Sequence, residues 1–285
     1  MVVAYFLGIF GVVAFGATLP VTRIALQDFS PEFLTFARAT LAAGLAFGSL
    51  IWFGKPMRHR DDFQIFIAGI FLIFTFPAFM AIAMQSVPAA HGGVVLGFLP
   101  LTTAIFARLI AQETPSARFW VLSISGCAVV TTYVFIKAGS NNAIASWSGY
   151  IWLIAAGLTA SIGYVIFGKL SRETPGWEII CRSLILNLPL ILGGLIWYYD
   201  SSIWTAESNS IWAMVYLGSF SMFLAFCAWN IALAIGGIAR IGQLQLLQVF
   251  VTVAVAALLL GEVIDTTTII TALLVTVIVA ATRQA

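Results

Sequence analysis

The side chains best suited to binding a small polar molecule lie in one segment near the carboxyl-terminal end of the sequence. Arg240, Gln243, Gln245 and Gln248 come before or within an apolar run that continues to Leu260. Gln245 and Gln248 are three residues apart, so they share one face of a helix. Because a buried amide without a partner is costly, the pair either bonds to a neighbouring helix or binds a polar substrate. We expect both glutamines to bind substrate.

Aromatic residues in other apolar segments supply the expected apolar part of this site. Trp229 could anchor a helix at a membrane surface or stack on a substrate ring, and the sequence leaves both interpretations open. Its neighbour Asn230 is better suited to a cavity, since exposure of an amide to lipid is costly. Tyr164 and Phe79 complete the expected substrate-binding aromatic residues.

The distribution of acidic residues restricts the class of substrate. No aspartate lies inside an apolar segment and no glutamate reaches the middle of one. A charge at that depth is expensive and usually functional, so its absence argues against a site for an isolated organic cation and weakens proton coupling through a central carboxylate. Too few lysines and arginines lie nearby for a phosphorylated substrate. A zwitterion, such as a neutral amino acid, fits best.

The residues needed for catalysis are missing from the sequence. Its two histidines, His59 and His91, belong to no H-E-x-x-H motif, and no G-x-S-x-G motif occurs. We therefore expect no enzyme, no cofactor, no metal and no catalytic residue.

Two basic residues are candidates for gates at opposite ends of a cavity. His91 and Arg240 each begin an apolar segment, and both could equally be helix-end residues that reach water. Pro77 and Pro100 lie inside apolar segments, where each removes a backbone hydrogen bond and permits a kink. Kinks there would serve opening and closing, or would be static curvature. We expect His91, Arg240, Pro77 and Pro100 to contribute to gating.

The amino-acid composition indicates the class of protein in which these residues lie. Of the 285 residues, 61% are apolar and 8% are charged, against roughly 45–50% and about 25% in soluble domains. This excludes a soluble enzyme, a disordered protein and a nucleic-acid binder. The unbroken apolar runs predict transmembrane helices, each of which needs about 20 residues.

Ten spans account for almost the whole chain, so we predict an all-α integral membrane protein without a soluble domain. The predicted spans are 2–26, 33–53, 63–86, 89–110, 117–136, 148–169, 177–198, 211–234, 238–260 and 266–282. Of the 13 lysines and arginines, ten lie on or nearest to the amino-terminal side. The positive-inside rule then predicts that both termini are cytoplasmic.

An internal repeat divides the chain into two halves. Residues 66–113 align without a gap onto 215–262 at an offset of 149. Earlier in each half, Pro31-x6-Arg38 matches Pro175-x6-Arg182 at an offset of 144. We predict five helices in residues 1–138 and five in 139–285, the second set inverted, around a central cavity as in many secondary transporters. The two repeated arginines are interpreted as structural.

Small residues in two spans permit close contacts between helices, although such spacings also occur by chance in a chain with 24 glycines. Gly44-x3-Gly48 and Gly93-x3-Gly97 both match the spacing that brings helix backbones together.

The chain resembles the EamA-like branch of the drug/metabolite transporter superfamily. The paired Pro-x6-Arg segments and the endings Pro100…Glu113 and Leu259-Leu260-Gly261-Glu262 carry the resemblance, and within the branch it is most similar to YddG-type exporters of aromatic amino acids. The resemblance implies a cavity between spans 3, 4, 8 and 9, lined in part by spans 1 and 6, with spans 5 and 10 peripheral. It implies prolines in both halves, whereas Val249 stands where the second is expected.

The expected function is therefore export of neutral amino acids, aromatic ones among them, and related small metabolites across a bacterial inner membrane by alternating access. Multidrug or other metabolite export and lipid flipping are the alternatives. We expect small zwitterions and the lipid bilayer as partners, no nucleic acid, and either a monomer or a dimer.

Overall fold

The computed structural model describes residues 2–55, 60–111, 117–138, 146–171, 173–236, 244 and 247–282, and the regular structure in these ranges is entirely helical. Its α-helices are α1 (Val2–Gly16), α2 (Thr18–Ala25), α3 (Pro31–Trp52), α4 (Asp62–Gly69), α5 (Phe76–Met84), α6 (Ala89–Leu96), α7 (Leu99–Ala111), α8 (Ala117–Ala138), α9 (Trp147–Leu170), α10 (Gly176–Leu186), α11 (Leu188–Trp197), α12 (Ser208–Tyr216), α13 (Ala225–Gly236), α14 (Leu247–Leu260) and α15 (Thr266–Thr282). Two π-helical segments, Ile70–Thr75 and Leu217–Leu224, and a 3-10 turn, Ser201–Trp204, complete the order.

The long apolar helices make this a multi-pass membrane protein. Six continuous stretches are long and apolar enough to cross a membrane. They are Val2–Ala25, Pro31–Trp52, Asp62–Met84, Ala89–Ile110, Trp147–Leu170 and Ser208–Ala232. The bent pair α10–α11 would add a seventh, and α8, α14 and α15 contain shorter apolar stretches. Large apolar side chains such as Phe6 and Leu258 are exposed, as lipid-facing residues are.

Local sequence explains where α3 begins. Ser30 precedes the helix in an extended conformation, and its Oγ accepts the amide of Phe33 at 3.3 Å. Pro31 occupies the first helical position, where the missing N–H costs nothing and the fixed φ suits the helix.

Internal prolines lie beside interruptions of the helices. Pro20 follows the break at Ala17, and Pro100 follows the break between α6 and α7. Pro189 follows Asn187, where α10 and α11 meet at 50°. Proline has no N–H to donate to the carbonyl four residues earlier, which accounts for these positions. Thr252 Oγ1 donates instead to the carbonyl of Gly16 that Pro20 leaves without its usual donor, at 2.8 Å.

The two π-helical segments occupy matching positions in the sequence repeat. At the offset of 149, Ile70–Thr75 falls within Leu217–Leu224. A glycine at the start of each segment packs against the part of the other half that carries the Pro-x6-Arg segment. Gly69 packs against Ser183 of α10 and Asn187, which follows α10, and Gly218 packs against Arg38 and Leu41 of α3. The start of the π-helical segment of each half therefore packs on the Pro-x6-Arg helix of the other half.

α6 and α14 approach each other closely. A methyl group at Gly93 would come within 2.7 Å of Thr252, and one at Gly97 within 3.2 Å of Val249, as the small-residue spacing permits. Gly44 and Gly48 have the same spacing but nothing within 4 Å. α8 packs mainly on α15.

Candidate functional site

Two adjoining cavities lie at the junction of helices from both parts of the chain. The space in each, including the part that is open to the surroundings, is about 570 and 480 Å³. Leu19, Phe76, Leu96, Tyr164 and Gln248 line both. The first extends to Gly93, Gly97, Leu99, Val249, Val275 and Thr276, and the second to Phe15, Thr18, Arg38, Leu72, Pro77, Met80, Ser221, Met222 and Phe226. An apolar lining with few polar groups is typical of a small-molecule site.

Two predicted binding residues lie on these shared walls. Tyr164 comes from the carboxyl-terminal half of α9, and its ring lies 6.1 Å from that of Phe226. Gln248 comes from the first turn of α14. The structure thus brings a phenol and an amide to one surface, where they can hydrogen-bond a polar ligand beside an apolar wall.

Arg38 adds a cationic group to the second cavity. The side chain is only 4% exposed, and its Nη2 donates to Ser221 Oγ at 3.4 Å. Thr18 Oγ1 donates to the carbonyl of Ala14 at 3.1 Å and lies 2.8 Å from Ser221 Oγ. Since the Thr18 hydroxyl proton is used, Ser221 donates to Thr18 and accepts from Arg38.

Of the two predicted hinge residues, Pro77 belongs to the cavity lining. Pro77 lines the second cavity and follows the π-helical segment Ile70–Thr75. Pro100 follows the interruption between α6 and α7. Both π-helical segments contribute to the lining of the second cavity, Ile70–Thr75 through Leu72 and Leu217–Leu224 through Ser221 and Met222. π-helical turns often occur at functional sites.

Three other predicted binding residues lie outside the lining of both cavities. Trp229 is buried against Gly11 in a cluster between α1 and α13. Asn230 Nδ2 donates to the carbonyl of Gly176 at 3.4 Å, and Phe79 packs on Trp152 with ring centroids 4.9 Å apart. Their described contacts are with neighbouring helices.

His91 lies in a polar cluster at one end of α6. Its Nδ1 is 2.8 Å from the hydroxyl of Tyr150, and its ring meets that of Tyr133 edge-on at 5.7 Å. Tyr133 in turn hydrogen-bonds Thr268 at 3.1 Å. The remaining predicted residues, Gln245 and Arg240, lie outside the described residues.

Glu262 joins three helix ends beside this cluster. Its Oε1 accepts the amide of Ala89 at 2.8 Å, its Oε2 accepts that of Ala90 at 2.9 Å, and Arg23 Nη1 pairs with it at 2.7 Å. A carboxylate at a helix N-terminus is stabilised by the free amides and the helix dipole. Within the part of the chain that the structure describes, no group of three His, Cys, Asp or Glu side chains is arranged to hold a metal.

Sequence reasoning did not place Arg38 in a site, although a signal was present. Arg182 has Glu178 four residues before it, whereas the matching position before Arg38 is Leu34. The structure shows the consequence, because Arg182 pairs with Glu178 through Nε at 3.0 Å and Nη2 at 2.6 Å. The repeat thus preserves the arginine but not its partner.

Comparison with known proteins finds a matching family and several related sequences. A family model for the EamA-like transporter family matches residues 2–135 and 147–283. The uncharacterized transporter YdeK of Bacillus subtilis (strain 168) is 35% identical over 97% of this chain and 96% of its own length. A probable amino-acid metabolite efflux pump of Salmonella typhimurium (strain LT2) is 24% identical over 90% of this chain and 87% of its own length.

Two more distant matches bear on substrate and fold respectively. The aromatic amino acid exporter YddG of Ancylobacter novellus is 23% identical over 80% of this chain and 79% of its own length. A protein crystal structure superposes with a TM-score of 0.64 at 19% identity, covering 98% of this chain and 95% of that one. At that identity the likeness shows the fold.

Proposed function

We propose that this chain, which belongs to the EamA-like transporter family, exports neutral amino acids, including aromatic ones, through the site lined by Tyr164 and Gln248. The observation that carries the proposal is the cavity pair itself, in which the phenol of Tyr164, the amide of Gln248 and the ring of Phe76 line both cavities, and two more phenyl rings line the second. A zwitterionic head group needs hydrogen-bonding partners, and an aromatic side chain needs an apolar surface. Relatives named as an aromatic amino acid exporter and an amino-acid metabolite efflux pump support the same class.

The transporter is proposed to consist of ten spans in two inverted halves, residues 1–138 and 139–285. Support comes from the two separate family matches, 2–135 and 147–283, and from the paired π-helical segments. The protein is proposed to lie in the inner membrane of a bacterial cell with both termini in the cytoplasm, and the balance of basic residues supports this orientation.

Alternating access is the proposed mechanism. Rocking of the two halves would open the central cavities to each side in turn, and the substrate gradient alone would drive net flow unless an ion is coupled. Pro77 and Pro100 are the proposed hinge positions, and His91 and Arg240 the proposed gates at opposite ends. Gln245 remains a predicted partner of Gln248 in binding.

Transport by the purified protein in liposomes tests this function. The substrates are labelled L-phenylalanine, L-leucine and a quaternary ammonium compound, each measured with and without a pH gradient and against protein-free liposomes. We expect saturable transport of one or both amino acids and none of the cation. Transport of the cation without either amino acid would overturn the substrate class, and loss of transport without the pH gradient would indicate proton coupling.

A further inference from the structure

We propose that Arg38 binds the carboxylate of the transported molecule. The inference deepens the proposed function, on which it rests for the identity of the amino acid, by assigning one ionic group of the substrate to one side chain. Arg38 reaches the second cavity from α3, and the walls of that cavity also include Tyr164 and Gln248.

Arg38 is a buried cation with no carboxylate partner among the residues that the structure describes. Its side chain is 4% exposed. Its Nε has no partner in the described part of the chain, and the bond from Nη2 to Ser221, at 3.4 Å, is long for an N–H···O hydrogen bond. The described hydrogen bonds use one of the five N–H donors of the guanidinium, and the side chain is part of the lining of the second cavity.

The repeat supplies an internal comparison. Arg182, which matches Arg38 in the second half, pairs with Glu178, and Lys55 approaches the other oxygen of that carboxylate at 2.8 Å. Leu34 replaces the glutamate in the first half. Because an unpaired charge at this depth is costly, the first-half arginine is explained better by a ligand than by packing.

The hydrogen bonds that reach Arg38 orient it without neutralising it. Ser221 Oγ accepts a hydrogen bond from Nη2 and donates one to Thr18 Oγ1, and the Thr18 hydroxyl donates to the carbonyl of Ala14. All three acceptors are uncharged, so the guanidinium keeps its full positive charge. Arginine binds carboxylates in a bidentate geometry that suits a planar anion.

The remaining cavity groups fit the rest of an amino acid. With the carboxylate at Arg38, the ammonium group would be met by oxygen atoms of Gln248 and Tyr164. The side chain would lie against Phe15, Phe76 and Phe226. Arg38 would bind the carboxylate of a molecule without an ammonium group in the same way. The test therefore compares carboxylates that have an ammonium group with carboxylates that lack one.

Ligand affinity of the purified full-length protein tests the assignment. The probes are L-phenylalanine, its methyl ester, phenethylamine and 3-phenylpropionate, measured by calorimetry with wild-type protein and with Arg38→Met and Arg38→Lys. We expect wild-type protein to prefer L-phenylalanine over the ester and the amine by at least about tenfold, which corresponds to about 1.4 kcal/mol. Arg38→Met should remove that preference, and Arg38→Lys should restore part of it.

A stability measurement separates binding from a structural role. Burying an unpaired charge costs free energy, so unliganded Arg38→Met, which removes that charge, should unfold at the same temperature as wild-type protein or higher. The matched variant Arg182→Met leaves Glu178 with one cation fewer and should unfold at a lower temperature. A loss of stability in Arg38→Met as large as that in Arg182→Met would overturn the proposal.

The wild-type measurements decide the outcome even if a variant does not fold. Equal affinity for L-phenylalanine and its methyl ester would refute the role of Arg38 and leave amino acid export standing. Binding of 3-phenylpropionate but not L-phenylalanine, lost in Arg38→Met, would support Arg38 and refute an amino acid as cargo. Binding of no carboxylate-bearing probe would refute both.

Discussion

Glu262 Oε1 lies 2.7 Å from Arg23 Nη1, an ion pair that joins the segment after α14 to the last turn of α2. Gly261 makes the geometry possible, because its φ of +63° turns the chain at the end of α14. The same carboxylate accepts the first two amides of α6. One side chain thus fixes the relative positions of three helix ends.

Glu262→Gln should destabilise the protein more than Arg23→Gln does. The amide removes the charge that faces the free amides of α6, at a cost of about 1–3 kcal/mol. The Arg23 side chain is 31% exposed, so its loss should cost less than about 1 kcal/mol. Unfolding in mixed micelles with increasing dodecyl sulfate would measure both, and an equal cost for the two variants would mean that the ion pair, not the helix cap, is the stabilising contact.

Thr252→Val should destabilise the protein because it leaves the carbonyl of Gly16 without a donor. The expected cost is about 0.5–2 kcal/mol, the range found for hydrogen bonds between membrane helices. In a Pro20→Ala background, the restored N–H of residue 20 can take over as donor, so the same substitution should cost less there. An identical cost in both backgrounds would show that Pro20 is not the reason for the contact.

Gly93→Ala and Gly48→Ala should have opposite effects on stability. The added methyl at position 93 would meet Thr252 at 2.7 Å and force α6 away from α14, at about 1–3 kcal/mol. The methyl at position 48 meets nothing within 4 Å and should stabilise α3 by up to about 1 kcal/mol. Thermal unfolding in detergent would compare them, and two variants of equal stability would contradict the close approach.

Gln248→Ala should lower transport of L-phenylalanine at least about tenfold, because it removes an amide shared by both cavities. Gln64, which is exposed on α4, offers a matched control, and Gln64→Ala should transport at the wild-type rate. Initial rates in liposomes with equal amounts of reconstituted protein would test this. Wild-type transport by Gln248→Ala would remove that residue from the site.

Hydropathy was sufficient to predict the six long apolar helical stretches that the structure describes, but not their irregularities. The span predicted at 33–53 is the helix Pro31–Trp52, and the one predicted at 148–169 is Trp147–Leu170. The helix starts are set by Ser30 and Pro31 in the first and by Ser146 in the second. The π-helical segments were not predicted, since inserting one residue into a turn leaves an apolar sequence apolar. Prolines indicated the interruptions, but the sequence alone does not give the 50° bend after α10.

The residues of the candidate site could be predicted only in part from the sequence, for a related reason. Gln248 and Tyr164 were predicted and line the cavities, whereas Trp229 is covered by α1. Whether a residue in an apolar span faces a cavity or a neighbouring helix depends on helix rotation, which an apolar pattern defines poorly. Arg38 was overlooked because its repetition as Arg182 suggested a shared structural role.

Counterflow of labelled L-phenylalanine tests the central claim, an amino acid site alternately open to each side, most directly. Liposomes containing the protein are loaded with unlabelled L-phenylalanine and diluted into a trace of labelled L-phenylalanine. The account predicts transient accumulation of label that exceeds equilibration and that internal phenethylamine does not support. Label that only equilibrates, at a rate independent of the internal amino acid, would contradict it.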